Sequence, residues 1–454
     1  MDKDVTVIRG MKRALFFCKI AVLNPRHIAT YRRLIRQQYW SRERIAELNW
    51  EKRKRLVASA YETVPYYRAL FKSIGFEPGD LAVPDDFLKL PLLTKEAIRG
   101  NFDELISSRA KPRHMAVSTT GGSTGVPLKV LHDRRAPIHP AMWRTMAWWG
   151  VSPADDNARV WRVPAGIRWS SWFQNLIWWP TRILLLDAAL MTEDAMNGFF
   201  RRFNRQRPAV LYGYVGGIDH LAQFAEEHAL DVMSPRMVWV TSAPISAVQR
   251  ERIERVFGAP VYDEYGSCEI MRLAAQGSAR EALLMLEDIR HIEFLDGEGR
   301  PCADGQMGDI VVTDLENYVF PLIRYVNGDR GHSVAGDAED GIGFPLMGPV
   351  KGRVSEAVSL PDGSLLTGEY LTTIFDEFPD CVKGFQVHQQ ADGSIDVIYI
   401  PSGDSSALEE NVRVVQSRLL EVMASQVPVR FTAVDSIPHD RGKLRFVISD
   451  LASR

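Results

Sequence analysis

Four cysteines are few for a chain of 454 residues, and Cys18, Cys268, Cys302 and Cys381 lie far apart with no C-x-x-C pair. This spacing fits neither a disulfide framework nor a compact zinc site, and it is typical of proteins from a reducing cytosol. A run of 18 apolar residues is also lacking, so we expect no membrane-spanning segment. Because internal repeats and low-complexity tracts are missing as well, we expect the chain to fold throughout.

Acidic residues are scarce at the beginning of the chain. Residues 1–72 carry a net charge of +11, whereas the net charge of the whole chain is −2. We call residues 1–72 the basic helical arm. One face of a predicted helix in this arm carries Ile8, Met11, Leu15 and Cys18. Two interpretations stay open, attraction to an anionic surface or a solvated helix face. We expect no nucleic-acid partner.

Short apolar runs and helix-periodic segments alternate between residues 116 and 316. The runs Val238–Val240 and Pro260–Tyr262 predict buried strands. A helix with an apolar stripe is predicted from Ile218, Leu221, Ala222 and Ala225. Alternation of this kind favours the α/β fold class, here with a large, multi-layered N-terminal domain over residues 1–352.

The pattern changes after Arg353. Turn signals punctuate short predicted strands, and one long helix carries Leu408, Val412, Val415, Leu419 and Val422 on one face. Residues 353–454 are therefore predicted to form a small α+β domain.

The segment richest in hydroxyl groups and glycine is Ser118, Thr119, Thr120, Gly121, Gly122, Ser123, Thr124 and Gly125. Such a loop brings hydroxyl and backbone donors close to a polyphosphate, because glycine permits a close approach. It is not a Walker motif, since no G-K-[ST] follows at the required spacing. Taken alone, a loop of this composition is more often a plain turn.

Three further segments follow in a set order: Tyr262–Glu269, Pro321–Asp329 and Asp440–Lys443. With them the sequence resembles the adenylate-forming superfamily of acyl-CoA synthetases, peptide-synthetase adenylation domains and luciferases. Within that superfamily it is most similar to the phenylacetate–CoA ligase branch, which includes relatives encoded among capsular polysaccharide genes. Val64–Arg68 and Pro91–Lys95 are similar to the leader of this branch.

The resemblance implies an ATP site built from several segments. Ser118 to Gly125 resembles the loop over the β- and γ-phosphates, and Ser242, Ala243 and Pro244 resemble the segment along the adenine. Glu264, Tyr265, Gly266 and Ser267 resemble the next conserved segment, in which Tyr265 packs beside the nucleotide. Asp329 resembles the ligand of the ribose hydroxyls.

The resemblance also implies catalytic roles for Glu269, Arg353 and Lys443. Glu269 resembles the carboxylate that holds Mg²⁺, and Arg353 the arginine near the ribose and phosphates. Lys443 resembles the lysine that reaches the α-phosphate and the substrate carboxylate. This chemistry needs cations, because a carboxylate attacking a phosphate brings two anions together.

The implied function is that of a cytoplasmic ligase. It uses ATP and Mg²⁺ to convert a small-molecule carboxylate into an acyl-AMP and then passes the acyl group to an acceptor. The acceptor is a thiol, with CoA as the family's thiol, or an amine in cell-envelope polysaccharide or natural-product synthesis. A nucleotide-binding scaffold without turnover is the alternative class. The small C-terminal domain is expected to be mobile, with its boundary near Arg353–Ser355.

The chain departs from the family pattern at three places. Val126 stands where many relatives have lysine, Ser355 stands near the usual acidic or lysine hinge position, and the C-terminal glycine-rich segment is reduced to Asp362-Gly363 and Gly368. The first departure bears on ATP affinity, and the other two bear on the thioester half-reaction.

Tryptophan is concentrated in one region, between Trp143 and Trp179. Trp side chains are usually well buried, but residues 169–179 mix aromatic and polar groups in a way that also suits a carbohydrate or membrane interface. Peripheral contact of residues 1–40 and 169–179 with the inner face of a membrane is one expectation. Packing of both segments against the protein's own core is the other.

Overall fold

The computed structural model describes most of the chain. The described residues are 2–120, 128–161, 178–188, 191–245, 247–338, 340–350, 357–361, 365–367, 382–401, 412–417, 419–420, 427–435, 437 and 447–450. The chain divides into two compact units, one of residues 1–118 with 130–351 and one of residues 119–129 with 352–454.

The α-helices are α1 (Asp2–Leu23), α2 (Pro25–Gln37), α3 (Arg42–Thr63), α4 (Pro65–Ser73), α5 (Lys95–Gly100), α6 (Ile138–Trp148), α7 (Glu193–Gln206), α8 (Val215–Glu227) and α9 (Ala247–Phe257). Short 3-10 helices lie at Pro78–Asp80, Pro84–Lys89 and Pro112–His114. None of the helices in the described parts of the chain combines the length and the apolar character that crossing a membrane requires.

The strands of the first unit, with the β1–β2 pair, are β1 (Met115–Thr120), β2 (Leu128–Asp133), β3 (Asn157–Trp161), β4 (Ile183–Asp187), β5 (Val210–Tyr214), β6 (Met237–Thr241), β7 (Val261–Tyr265), β8 (Ala274–Gln276), β9 (Leu283–Met285), β10 (Arg290–Leu295), β11 (Gly308–Asp314), β12 (Tyr325–Gly331), β13 (Ser333–Val334) and β14 (Leu346–Met347). The remaining strands are β15 (Ala357–Ser359), β16 (Leu365–Thr367), β17 (Val382–Gln389), β18 (Ile395–Pro401), β19 (Val429–Ala433) and β20 (Val447–Ser449).

The largest sheet has nine strands in the order β13-β14-β9-β8-β7-β6-β5-β3-β4. Strands β4, β3, β5, β6 and β7 pair in parallel, and the pairs from β7 through β8, β9 and β14 to β13 are antiparallel. The predicted strands over Val238–Val240 and Pro260–Tyr262 are confirmed as parts of β6 and β7, apart from Pro260, which precedes β7. The α/β fold class is confirmed.

Helices α7, α8 and α9 cover the parallel part of this sheet and share one apolar core with it. The predicted stripe on α8 is confirmed, because Ile218, Leu221, Ala222 and Ala225 are all buried. Helix α9 ends before Gly258, whose φ of +58° is the left-handed conformation that commonly terminates helices.

A three-stranded antiparallel sheet, β10-β11-β12, forms a second layer of this unit. The segment Pro91–Lys95 extends along the start of β12. The amide of Leu93 donates to the carbonyl of Arg324 over 2.9 Å, and the amide of Val326 donates to the carbonyl of Leu93 over 2.9 Å. This pairing fixes Lys95, which the chain places directly after the segment.

The basic arm is helical, as predicted, since α1 to α4 occupy it. Helix α1 packs on the body of the first unit through Phe16, which is fully buried against Trp143 of α6. The Nη2 atom of Arg13 lies 2.6 Å from an oxygen of Asp155, which is itself buried. The arm is therefore anchored both by apolar packing and by ion pairs.

The second unit contains a four-stranded sheet in the order β19-β18-β17-β20. Its core includes Phe385, Val387, Val397, Val415 and Leu419. Val415 belongs to a helical stretch over residues 412–417, so the predicted long helix is confirmed over that stretch. Leu408 and Val422, which were predicted to continue the stripe, lie outside the described residues.

Candidate functional site

Two neighbouring parallel strands, β6 and β7, end at residues that the sequence predicts to bind ATP. Ser242, Ala243 and Pro244 follow β6, while Tyr265 closes β7. The hydroxyl of Thr241 donates to the carbonyl oxygen of Glu264 over 2.8 Å and ties the two strand ends together. Open α/β sheets bind ligands at this carboxyl edge.

Ser242 has a left-handed backbone, with φ of +81°. This conformation is uncommon for a residue other than glycine and costs about 1–3 kcal/mol when the surroundings impose it. Ser242 lies directly after β6, at the start of the predicted adenine segment. Backbone strain of this kind is typical of ligand-binding loops.

The chain after β7 folds back in a tight loop. A Cβ atom on Gly266 would lie 2.7 Å from the amide nitrogen of Arg272, so only glycine allows this approach. The amide of Ile270 donates to the hydroxyl of Ser267 over 3.1 Å and closes the loop between them. Arg272 pairs with the buried carboxylate of Glu264. Glu264 is thus held by a guanidinium group at the base of the loop.

Tyr265 forms a polar cluster with two residues of β12. Its phenol donates to Oδ2 of Asp329 over 2.9 Å, and Asn327 Nδ2 donates to the phenol oxygen over 2.6 Å. Asn327 also donates to the same Oδ2 of Asp329 over 2.9 Å. Burial, followed by the charge of Asp329, raises the pKa of Tyr265 well above its usual value. The phenol therefore stays protonated and keeps its role as a donor.

Glu269, the predicted magnesium ligand, is buried within the same loop. The phenol of Tyr325, at the start of β12, donates to its Oε1 atom over 2.9 Å. The Nζ atom of Lys95 lies 3.8 Å from the same oxygen. Alternate residues of β12, namely Tyr325, Asn327 and Asp329, therefore contact the end of β7 and the loop after it.

Three of these side chains make contacts in this cluster that the sequence pattern did not predict. Lys95 belongs to the segment that resembles the family's leader, where the sequence predicted no role for it. Tyr325 and Asn327 lie within the segment that ends at Asp329. The period of two along β12 is the signal that could have grouped Tyr325 and Asn327 with Asp329.

A fourth contact comes from β2, where Nε2 of His132 lies 2.9 Å from the carbonyl oxygen of Cys268. Burial lowers the pKa of His132, so a neutral ring donates this hydrogen bond.

The remaining predicted residues divide into two groups. Ser118, Thr119 and Thr120 lie at the end of β1, which leads into the predicted phosphate loop. The residues Gly121 to Gly125, Arg353 and Lys443 lie outside the described residues. The structure therefore brings together Tyr265, Glu269 and Asp329 among the predicted site residues, and the roles of all of them stay predictions.

The tryptophan-rich region has two kinds of surroundings. Trp143 and Trp149 are buried, whereas the side chain of Trp179 is 51% exposed. Trp161, the last residue of β3, stacks on Tyr214, the last residue of β5, with ring centroids 4.3 Å apart. Trp169 and Trp172 lie outside the described residues. Burial of Trp143 and Trp149 agrees with packing against the protein's own core, and contact of residues 169–179 with a membrane stays a prediction.

Comparison with known proteins shows which proteins the chain resembles. Residues 358–450 match the family described as the CapK C-terminal domain. The phenylacetate-coenzyme A ligase of Thermus thermophilus is 22% identical over 366 residues, which cover 78% of this chain and 80% of that protein. Protein CapK of Staphylococcus aureus is 21% identical over 387 residues, which cover 80% of each chain. Over most of its length the chain is thus similar to proteins named phenylacetate-coenzyme A ligase and CapK.

Solved structures agree at the level of the fold. The crystal structure of 2-hydroxyisobutyryl-CoA ligase in complex with 2-HIB-AMP and CoA, in the thioesterification state, is 21% identical with a TM-score of 0.65. The match covers 91% of both chains. The predicted fold, with a large N-terminal domain and a smaller C-terminal domain, is therefore confirmed.

Proposed function

We propose that this protein is an AMP-forming acyl-CoA ligase of the adenylate-forming superfamily. The observation that carries the proposal is the convergence of Tyr265, Asp329 and Glu269. Tyr265 ends β7, Asp329 lies in β12, and Glu269 lies in the loop after β7. Two further residues of β12 contact them, Asn327 at Tyr265 and Tyr325 at Glu269. Family relatives named phenylacetate-coenzyme A ligase support the same reaction class.

In the first half-reaction an oxygen of the substrate carboxylate attacks the α-phosphorus of ATP. A new P–O bond forms, the bond to the β-phosphate bridge breaks, and pyrophosphate leaves. Asp329, which accepts hydrogen bonds from Tyr265 and Asn327, would also accept hydrogen bonds from the ribose hydroxyls and so orient the nucleotide. Lys443 and Arg353 would neutralise the charge that develops on the α-phosphate.

Glu269 is the residue that would hold Mg²⁺. Among the described residues no three or more His, Cys, Asp and Glu side chains come together as a metal cluster. A single buried carboxylate still fits, because Mg²⁺ is commonly held by one or two protein carboxylates together with substrate phosphates and water. When bound, the ion supplies positive charge to the phosphates.

In the second half-reaction the sulfur of CoA attacks the acyl carbonyl carbon. The bond to the AMP oxygen breaks, AMP leaves, and the thiol proton passes to solvent. We place the acyl group beside the stacked rings of Trp161 and Tyr214. Tyr214 ends β5, which pairs with β6 before the predicted adenine segment, and Trp161 ends β3 on the other side of β5. An aromatic wall at this edge favours a carboxylate with an apolar or planar body.

A pyrophosphate-release assay across a panel of carboxylates tests the proposal. We expect release with at least one acid and formation of its CoA thioester. The Lys443→Ala variant should lose acyl-AMP formation on the order of a hundredfold or more and still bind ATP within a few-fold, because its cation acts in the transition state. Lys383→Ala, in the same C-terminal domain, is the matched control.

The other outcomes separate the alternatives. Acyl-AMP formation that proceeds to products only with amines would replace CoA by an amine acceptor. ATP binding without pyrophosphate release for any acid would support a scaffold instead of an enzyme.

A further inference from the structure

Helix α1 presents an outward face that is apolar along its length. The exposed residues of this outer face are Gly10, Met11, Ala14, Leu15, Cys18, Ala21 and Val22. The exposed fractions of the residues are 69% for Met11, 43% for Leu15 and 81% for Val22. These positions recur at helical spacing, so they form one continuous strip.

An ordinary surface helix turns its apolar side to the protein and its charges to water. The inner side of α1 carries both the buried Phe16 and basic residues, and its outer side is apolar. Here Lys12 pairs with Asp156 and Arg13 with Asp155 on the body of the first unit. The predicted stripe through Met11, Leu15 and Cys18 thus exists but points away from the core. Packing on the protein therefore does not explain why this strip is apolar.

The neighbouring helix α2 presents a basic outer face. Its exposed residues include Arg26, Arg32, Arg33 and Arg36. Between Asp4 and Glu43 the sequence contains no acidic residue. Within the described part of the chain, these four guanidinium groups form no ion pair. The outer side of this helix pair is therefore both apolar and cationic.

Both outer faces look away from the protein because the two helices pack on the same aromatic cluster. Phe17 of α1 stacks on Tyr31 of α2 with ring centroids 5.8 Å apart, and both rings contact Trp143. The half-exposed Trp179 adjoins α1, since Lys19 donates to its carbonyl oxygen. Tryptophan at the rim of an apolar strip is typical of membrane–water interfaces.

We propose that α1 and α2 dock the protein reversibly on an anionic lipid bilayer. Met11, Leu15 and Val22 would enter the boundary between headgroups and acyl chains, and the four arginines of α2 would face the anionic headgroups. A second copy of this chain is the competing occupant of the strip. Charge favours the bilayer, because two cationic outer faces repel each other whereas an anionic leaflet attracts both.

Vesicle flotation tests the proposal with the full chain. We use phosphatidylcholine vesicles with and without about 30 mol% phosphatidylglycerol, at about 0.05 M and about 0.5 M salt. Wild-type protein should float with the anionic vesicles at low salt only. Leu15→Gln/Val22→Gln should weaken binding at least about tenfold, and Arg32→Gln/Arg33→Gln/Arg36→Gln on the order of a hundredfold.

Matched controls lie on other surfaces of the first unit. Ile74→Gln/Val83→Gln alters exposed apolar residues elsewhere, and Arg201→Gln/Arg202→Gln/Arg205→Gln removes three basic residues from α7. Both should float like the wild type. Thermal unfolding of every variant checks that the fold is retained, as expected for exposed positions.

The opposite results are equally clear. The proposal would be wrong if the wild type failed to float with the anionic vesicles. It would also be wrong if flotation did not depend on salt, or if neither the α1 variant nor the α2 variant weakened it. A dimer in light scattering that Leu15→Gln/Val22→Gln disrupts, without vesicle binding, would assign the strip to a second copy instead.

Discussion

The phenol of Tyr265 and the carboxylate of Asp329 are joined by a hydrogen bond of 2.9 Å between two different sheets. Tyr265 ends β7 of the nine-stranded sheet, and Asp329 lies in β12 of the three-stranded sheet. We assign the carboxylate of Asp329 to the ribose. The hydrogen bond fixes this carboxylate relative to β7, the strand that precedes the loop of Glu269. With the role proposed for Asp329, the bond would couple nucleotide orientation to the contact between the two sheets.

Tyr265→Phe should raise the KM for ATP about tenfold with a smaller effect on kcat. The substitution removes a hydrogen bond to a charged group, which contributes about 1.5–3 kcal/mol, and leaves ring packing intact. Initial rates over a range of ATP concentrations measure the effect. Tyr262→Phe, on the same strand, is the control and should leave the KM unchanged. Equal KM values for Tyr265→Phe and wild type would contradict the role given to Asp329.

The same variant predicts a pH dependence of stability. Because the pKa of Tyr265 is raised in the folded protein, its stabilising effect is complete below the pKa of tyrosine in the unfolded chain, about 10. It declines as the pH rises through the folded value. The difference in unfolding free energy between wild type and Tyr265→Phe should therefore be constant up to about pH 10 and shrink above it. Urea melts across this range would show a flat difference at every pH if the phenol were unperturbed.

Gly266→Ala should destabilise the protein by about 1–3 kcal/mol, because the new Cβ would meet the backbone amide of Arg272. The loop that carries Glu269 must then open, so activity should fall by more than stability alone explains. Thermal melts and pyrophosphate release measure the two effects. Gly297→Ala is the control, since a Cβ there meets nothing within 4 Å. Wild-type activity in Gly266→Ala would mean that the loop geometry does not matter for the reaction.

Arg324→Met should cost about 3–5 kcal/mol of unfolding free energy, because it leaves the buried carboxylate of Glu293 without its cation. The guanidinium also donates to the carbonyls of Leu88 and Leu90, which hold the segment before Lys95. The double variant Arg324→Met/Glu293→Gln should lose less than the sum of the single variants. Arg300→Met, in an exposed pair, should cost under about 1 kcal/mol. Additive losses in urea melts would rule out the coupling.

The sequence predicted those features that depend on local pattern. The strands β6 and β7 and the stripe on α8 follow from apolar runs and helical spacing, which need no tertiary information. The antiparallel continuation of the central sheet through β8, β9 and β14 was not predicted, because these strands are short and pair across long intervals. Lys95 reaches Glu269 only through pairing with β12, which no local pattern reveals.

Helix α1 shows the limit of periodicity in another way. Its spacing correctly placed Met11, Leu15 and Cys18 on one face, but spacing alone does not say which face meets the protein. Asp155 and Asp156 on the body settle the question by pairing with the basic face. Together with the burial of Phe16, these acidic partners far along the chain leave the stripe through Met11 and Leu15 exposed.

Glu269→Gln should raise the Mg²⁺ concentration for half-maximal pyrophosphate release about tenfold or more, because a hard anionic oxygen becomes a neutral amide. The fold should survive, since the amide oxygen can still accept the hydrogen bond from Tyr325. The ATP concentration is kept saturating, so that metal dependence is measured alone. Glu264→Gln is the comparison: its carboxylate is paired with Arg272, so its loss should lower stability without moving the Mg²⁺ midpoint. If the midpoint moves in Glu264→Gln and not in Glu269→Gln, the metal is held at the strand end and not in the loop.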